Sequence, residues 1–274
     1  MRGLAEFVMK GRKQAILAVA LIGLIPLVNL LNPVVVGLVI LRKGVREGAI
    51  LFAWAILPIG AWAIVGDIVP LIMLIGISGL ACLLRESESW EFTLLASIVI
   101  GVSMELYLRL QPAVLDVVFQ QLELYLQTNN LQGMQLEDLR ETLTSFIGAV
   151  YMFLAIMLLM LARWMQAALY NPGGFQSEFY RLRIERKVAL ILLGLMLLAS
   201  FQVVIPQSWM LYLILPLLVS GLALIHAVVA KKKLATMWLV ALYAVMMFPV
   251  VLQVIALLAL VDSWYDFRAR LQQS

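Results

Sequence analysis

Glu105 and Arg109 stand four residues apart at the end of an otherwise apolar stretch, Phe92 to Leu110. At helical pitch that spacing puts a carboxylate and a guanidinium on one face, one turn apart. A charge at the centre of a span costs roughly 2.5–3.5 kcal/mol on insertion scales, so the pair is either a structural salt bridge or a set of ligand contacts. Ser97 and Gly101 continue the same face and suit close helix packing. Asn29 and Asn32 interrupt an earlier apolar run beside Pro33. Their amides either meet a polar solute at an unwound segment or bind backbone groups that the proline frees. Asn29, Asn32, Glu105 and Arg109 are therefore the ligand-binding candidates.

A second group of polar residues lies between spans. Asn171, Pro172, Gly173, Gly174 and Phe175 form a turn sequence, since Asn-Pro and Gly-Gly both oppose a continuing helix. Glu178 to Lys187 then mixes aromatic, basic and acidic residues, a pattern suited to the headgroup level of a membrane or to a docking partner. Asn171, Gly173, Gly174, Phe175, Glu178, Arg181 and Arg183 are the interfacial or partner-docking candidates.

Little else in the chain carries chemistry. One cysteine, Cys82, allows no internal disulfide, and one histidine, His226, leaves no ligand set for zinc or a redox metal. No Gly-x-Ser-x-Gly, His-Glu-x-x-His or phosphate-cradling Gly-x-x-x-x-Gly-Lys occurs. The expectation is a protein that is not an enzyme, holds no metal or cofactor, and would need separate ATPase or coupling subunits for active transport. The net charge of +4 arises from short basic loops between apolar runs, which points to anionic lipid rather than nucleic acid.

The elements that must position these residues are membrane spans. Of 274 residues, 64% are hydrophobic and 13% charged, and the mean hydropathy is +1.01. Soluble domains carry roughly 25% charged residues. Apolar runs cover 15–41, 50–65, 68–84, 92–110, 146–161, 188–205, 209–230 and 234–261. Most match a hydrocarbon core of about 30 Å crossed by a helix. Helices satisfy their own backbone in lipid, and the runs are too long and uniformly apolar for barrel strands. The fold class expected is an all-α polytopic bundle of about seven to nine membrane segments.

The first and last runs, 15–41 and 234–261, exceed one ordinary span and fall short of two. Each contains proline, Pro33 in the first and Pro249 in the last, so each is a hairpin, a re-entrant pair, or one long kinked helix. Arg12 and Lys13 precede the first run, and Arg42, Lys43 and Arg46 follow it. Basic residues on both flanks predict a hairpin with both ends in the cytoplasm. Continued along the chain, the rule puts the N-terminus, 85–91, 163–187 and 231–233 inside, and Asp67, 111–146 and Gln207 outside. The chain reads as one transmembrane domain over residues 1–274, with a cytoplasmic loop at 164–187.

Residues 111–146 form an acidic, amphipathic insertion. Val114, Leu115, Val118, Leu122, Tyr125 and Leu126 recur at helical spacing, then a turn at Thr128 to Gly133, then a second stripe of Leu136, Leu139, Leu143 and Phe146. This predicts an extracytoplasmic helical pair lying on the membrane face, either a surface hairpin or a lid over a ligand vestibule.

The run Asn171 to Arg183, the proline-broken first run, the acidic insertion and the closing Asp262-Ser-Trp-Tyr-Asp-Phe-Arg268 together resemble the YybS-like family of bacterial membrane proteins. The resemblance implies a core similar to the S components of energy-coupling-factor vitamin transporters, with extra helices, in the bacterial inner membrane. S components dock their coupling subunit through small residues four apart on the first helix. The first run here has no Ala-x-x-x-Ala, and Ala49 and Ala53 at the start of the next span are the nearest instance. The function expected is binding or transport of a small solute by an integral membrane protein. The alternative is a membrane scaffold or regulator that recruits cytoplasmic partners through its basic 171–187 loop.

Overall fold

The computed structural model describes residues 1–113, 115, 116, 119–121, 124 and 136–270, and every regular element among them is helical. The chain starts with a short helix, α1 (Arg2–Met9), followed by α2 (Arg12–Leu24). A 3₁₀ turn, Val28–Leu31, leads into α3 (Asn32–Lys43). The first apolar run therefore breaks at the asparagine–proline segment. Pro33 sits in the first turn of α3, where a missing N–H costs no intrahelical bond. Leu27, at the tip, has a left-handed φ of 64°.

α4 (Val45–Ile64) begins one residue after α3 ends. Arg12, at the start of α2, bridges Glu47 at the start of α4 with 2.6 Å between Nη2 and Oε1. The two flanks of the first run thus share one end of the bundle, and α2–α3 is a hairpin. At about 1.5 Å per residue each limb is some 20 Å long, short of a full crossing. Every residue of α3 from Asn32 to Leu41 is nonetheless buried, because α2, α4, α5 and α7 surround it.

α5 (Val69–Ser87) and α6 (Trp90–Leu110) form an antiparallel pair. Glu88 reverses the chain between them in a left-handed conformation, and the Ser89 hydroxyl accepts from the Phe92 N–H at 3.4 Å to cap α6. α7 then runs unbroken from Leu136 to Tyr170, 35 residues. The second stripe of the insertion, Leu136 to Phe146, is thus the leading end of a span rather than a separate helix on the membrane face. Nothing from Leu136 to Tyr170 except Gly148 disfavours a helix, and the stripe runs on at helical spacing into the apolar segment. Of the first stripe, Leu115 is buried, beside Phe119, against Met104 and Leu108 of α6. Val114, Val118, Leu122, Tyr125, Leu126 and the turn at Thr128 to Gly133 lie outside the described residues.

The remaining elements are α8 (Gly174–Arg181), α9 (Arg186–Ser200), a 3₁₀ turn Gln207–Trp209, α10 (Met210–Lys231), α11 (Met237–Val245), α12 (Pro249–Tyr265) and α13 (Phe267–Arg270). α11 and α12 meet at 117°, with Pro249 in the first turn of α12, so the last apolar run is also broken at its proline. Among the described residues, five helices are long and apolar enough to cross a membrane: α4, α5, α6, α7 and α10. A sixth follows if α11 and α12 are one broken span. Leu57, Val99 and Ile191 lie open on helix surfaces, as an apolar solvent permits.

Tight packing centres on three helices. A Cβ added to Gly148 of α7 would come within 2.7 Å of the Gly101 carbonyl of α6 and collide with the Tyr212 hydroxyl of α10. A Cβ on Gly101 would sit 2.8 Å from the Tyr212 ring. Small residues let α6 and α7 approach, and the fully buried Tyr212 closes the gap.

Candidate functional site

The basic loops converge at one end of the bundle. Arg42, at the end of α3, lies over the Tyr170 ring at the end of α7, 3.8 Å from its centroid. Lys231 Nζ donates to the Arg268 carbonyl at 2.7 Å. The opposite end gathers Gly66, Tyr107, Arg109, Arg140 and Glu141. Between the basic loops lies a cleft of about 890 Å³. Its walls come from the α5–α6 turn (Arg85 to Glu91), from Arg163 and Gln166 of α7, from Glu178 and Arg181 of α8, and from Leu182, Arg183 and Glu185.

Most of the charged lining residues are anchored. Arg85 Nη1 donates to the carbonyls of Ile40, at 3.2 Å, and Leu41, at 2.7 Å, which closes the C-terminal end of α3 with a cation. Arg163 and Glu178 pair in bidentate fashion, with Nε to Oε2 at 2.9 Å. Glu91, buried, accepts the Glu185 N–H at 2.7 Å at the start of α9, where an anion is favoured. Arg183 Nη1 reaches Asp266 at 2.6 Å and Nη2 donates to the Ser263 carbonyl at 3.0 Å.

Behind Arg183 lies an ion pair with almost no access to water. Asp262 is fully buried and accepts from Arg268 Nη1 and from the Phe267 N–H, each at 2.9 Å. Burial draws the Arg268 pKa below the ordinary guanidinium value, and Asp262 opposes that shift. This cluster joins the loop after α8 to the C-terminal segment, the two stretches most distinctive in the sequence.

Among the described residues, other polar atoms at the cleft have no partner. Trp90 is 8% exposed, packs edge-on against Phe175 with centroids 6.3 Å apart, and its Nε1–H finds no acceptor. Gln166 Oε1 is buried without a donor. Arg181 is exposed and makes no side-chain hydrogen bond or ion pair among the described residues. A buried donor or acceptor without a partner costs roughly 1–3 kcal/mol. Trp90, Gln166 and the exposed Arg181 all line the cleft, and its charged and polar walls suit a polar solute. Among the described residues no three His, Cys, Asp or Glu side chains gather in a way that would hold a metal ion.

The candidates named from sequence fall into three places. Glu105, 3% exposed, accepts from Arg109 Nη2 at 2.7 Å and from the Tyr212 hydroxyl at 2.8 Å, while Arg109 also reaches Glu141 at 3.3 Å. Asn32 donates from Nδ2 to the Val19 carbonyl at 3.0 Å and Trp62 donates to the Gly23 carbonyl at 2.8 Å, so the open end of α2 is bound from both sides. Asn32 Oδ1 is left without a donor, and Asn29 is buried in the neighbouring 3₁₀ turn. Asn171 and Gly174 form the turn into α8, with the Gly174 N–H on the Asn171 carbonyl at 2.8 Å, and Gly173 takes a φ of 83°. Phe175, in the first turn of α8, packs against the core, whereas Glu178, Arg181 and Arg183 reach the cleft. Tyr212, Trp90, Gln166 and Arg163 were not legible as site residues. Nothing in their spacing couples them to partners far along the chain.

Fold and site together define a polytopic helical protein with membrane-compatible spans and a polar cleft at its basic end. Comparison with protein-family models, curated proteins and solved structures gives no match to this chain.

Proposed function

We propose that this chain is an integral protein of a bacterial inner membrane that binds a small polar solute in the cleft at its basic, cytoplasmic end. The observation that carries this reading is a cleft of about 890 Å³ walled by charged and polar side chains, among them the exposed Arg181, which has no ion pair among the described residues. That volume falls within the range of about 300–1,000 Å³ usual for small-molecule sites. Orientation follows from the basic loops by the positive-inside rule. A role like that of a transporter specificity subunit is supported by the resemblance to the YybS-like family and would require ATPase or coupling subunits. Glu105, Arg109 and Asn32 act in this reading as structural groups, because Glu105 and Arg109 pair with each other and Asn32 binds the Val19 carbonyl, away from the cleft.

The test uses Gln166→Leu and Trp90→Phe. Gln166→Leu removes an unsatisfied buried atom and should not lower the stability of the empty protein, whereas Trp90→Phe leaves a small cavity and is read beside thermal unfolding of the same sample. Mass spectrometry of metabolites retained by the full chain in lipid nanodiscs should show one polar species with the native protein and its loss in both variants. Absence of any retained metabolite, or equal retention in the variants, would sink the reading.

A partner-recruiting scaffold is the second reading, favoured by the exposed and unpaired Arg181 next to Arg186 and Lys187. Replacing Arg186 and Lys187, which do not line the cleft, with glutamine should then release co-purifying soluble proteins while leaving any metabolite bound. Unchanged partners would dismiss it.

A further inference from the structure

A second concavity lies on another face of the same end, between the last turns of α10 and α12, and measures about 400 Å³. Its floor is Leu224, Ile225 and Val228 of α10 and its wall is Leu258 of α12, with Phe267 closing one side. Its charged lining groups are Lys232 and Arg270. The groove exists because the chain reverses at Asp266, in a left-handed conformation with φ 45°, and folds α13 back beside α10.

Among the described residues the two cations are uncompensated. Neither Lys232 nor Arg270 makes an ion pair among the described residues, and the Arg270 guanidinium lies 5.5 Å from the centroid of the Tyr265 ring. The two nearby carboxylates are already taken. Asp262 is held by Arg268, and Asp266 by Arg183 at 2.6 Å. An anion placed between Lys232 and Arg270 would therefore meet attraction without a competing acid.

The apolar part of the groove adjoins an exposed apolar surface. Leu257, Leu258 and Val261 are 58%, 40% and 40% exposed along α12, and α10 is long and apolar enough to cross a membrane. Lys232 directly follows the last residue of α10, at the level where a phospholipid headgroup lies. We propose that this groove holds one anionic phospholipid, with an acyl chain against Leu224, Val228 and Leu258 and the phosphate between Lys232 and Arg270. A soluble anion fits less well, because it leaves the apolar floor uncovered.

Native mass spectrometry of the full chain, exchanged into detergent with phosphatidylglycerol or phosphatidylcholine, tests the assignment. One phosphatidylglycerol should remain bound at detergent levels that strip phosphatidylcholine. The double variant K232Q/R270Q should weaken its retention about tenfold or more, as expected for two interfacial charges. Leu258→Trp, which fills the groove and keeps both charges, should weaken it similarly, and Ile225→Trp serves if that variant fails to fold. Lys233→Gln, adjacent but outside the groove, should retain the lipid. Loss in K232Q/R270Q with full retention in both tryptophan variants would overturn the proposal in favour of charge adsorption. Displacement by millimolar glycerol phosphate alone would also overturn it, since a headgroup without a chain would then suffice.

Discussion

Tyr212 of α10 donates its hydroxyl to Oε2 of Glu105 on α6 across 2.8 Å, in a region where neither side chain reaches water. Glu105 Oε1 belongs to Arg109, so the carboxylate is divided between a neighbour on its own helix and a helix far along the chain. Tyr212→Phe removes one donor and should destabilise the bundle by about 1.5–3 kcal/mol, the usual worth of a hydrogen bond to a charged group. Adding Glu105→Gln in the same background should cost far less than the sum of the two single changes. Thermal unfolding in detergent measures both, and strict additivity would show that the contact carries no coupling.

Removing Arg109 alone leaves Glu105 ionised and buried, whereas removing both charges leaves a neutral amide. Arg109→Gln should therefore destabilise by about 3 kcal/mol or less, given partial exposure of the arginine, and Glu105→Gln in the same chain should restore most of it. Failure of the double variant to recover, with a bound metabolite lost instead, would return these residues to the list of ligand contacts.

Gly148→Ala places a methyl group against the Tyr212 hydroxyl and the Gly101 carbonyl. Overpacking of this kind costs about 1–3 kcal/mol. Combining it with Tyr212→Phe relieves the nearer clash and should recover part of the loss, a non-additivity that differential scanning fluorimetry will resolve. Equal stability of Gly148→Ala and the native chain would mean that α6 and α7 pack less closely than described.

The buried pair of Asp262 and Arg268 fastens the C-terminal segment to α10, where Arg268 Nη2 also donates to the Ser220 carbonyl at 3.1 Å. Asp262→Asn leaves a buried guanidinium without its counter-charge, a change that costs about 3–5 kcal/mol. Its readout is local. Trypsin should cut at Arg268 and Arg270 much faster than in the native protein, while Arg163 in α7 stays protected. Uniform cleavage along the chain would indicate global unfolding instead of release of this segment.

The shared end of α2 and α4, fixed by Arg12 and Glu47, predicts the labelling pattern of the first run. In a Cys82→Ser background, single cysteines at Lys10 and Lys43 should react with a membrane-impermeant maleimide from the same side. Opposite reactivity would require 15–41 to cross the membrane as one continuous helix.

Length, composition and the spacing of apolar residues determined a good deal by themselves. Helical class, membrane-compatible spans, the breaks at Pro33 and Pro249 and the pairing of Glu105 with Arg109 all depend on residues close in sequence. For such features backbone geometry, proline chemistry and the four-residue helical step are sufficient. The tertiary structure decided what those elements meet. Tyr212 as the second partner of Glu105, the clamp of Arg183 on Asp266, and the cleft where Trp90 and Gln166 lie unpartnered join segments distant along the chain. No periodicity encodes them, because a contact between helices depends on crossing angle and approach, which side chains such as Gly101 and Gly148 set only once the helices are packed together. The extent of α7 lies between the two kinds. Its 35 residues were written in an unbroken helical stripe, yet a change from acidic to apolar surface gave that stripe the look of two elements. A helix ends where its backbone is interrupted, and a change in what its side chains face does not interrupt it.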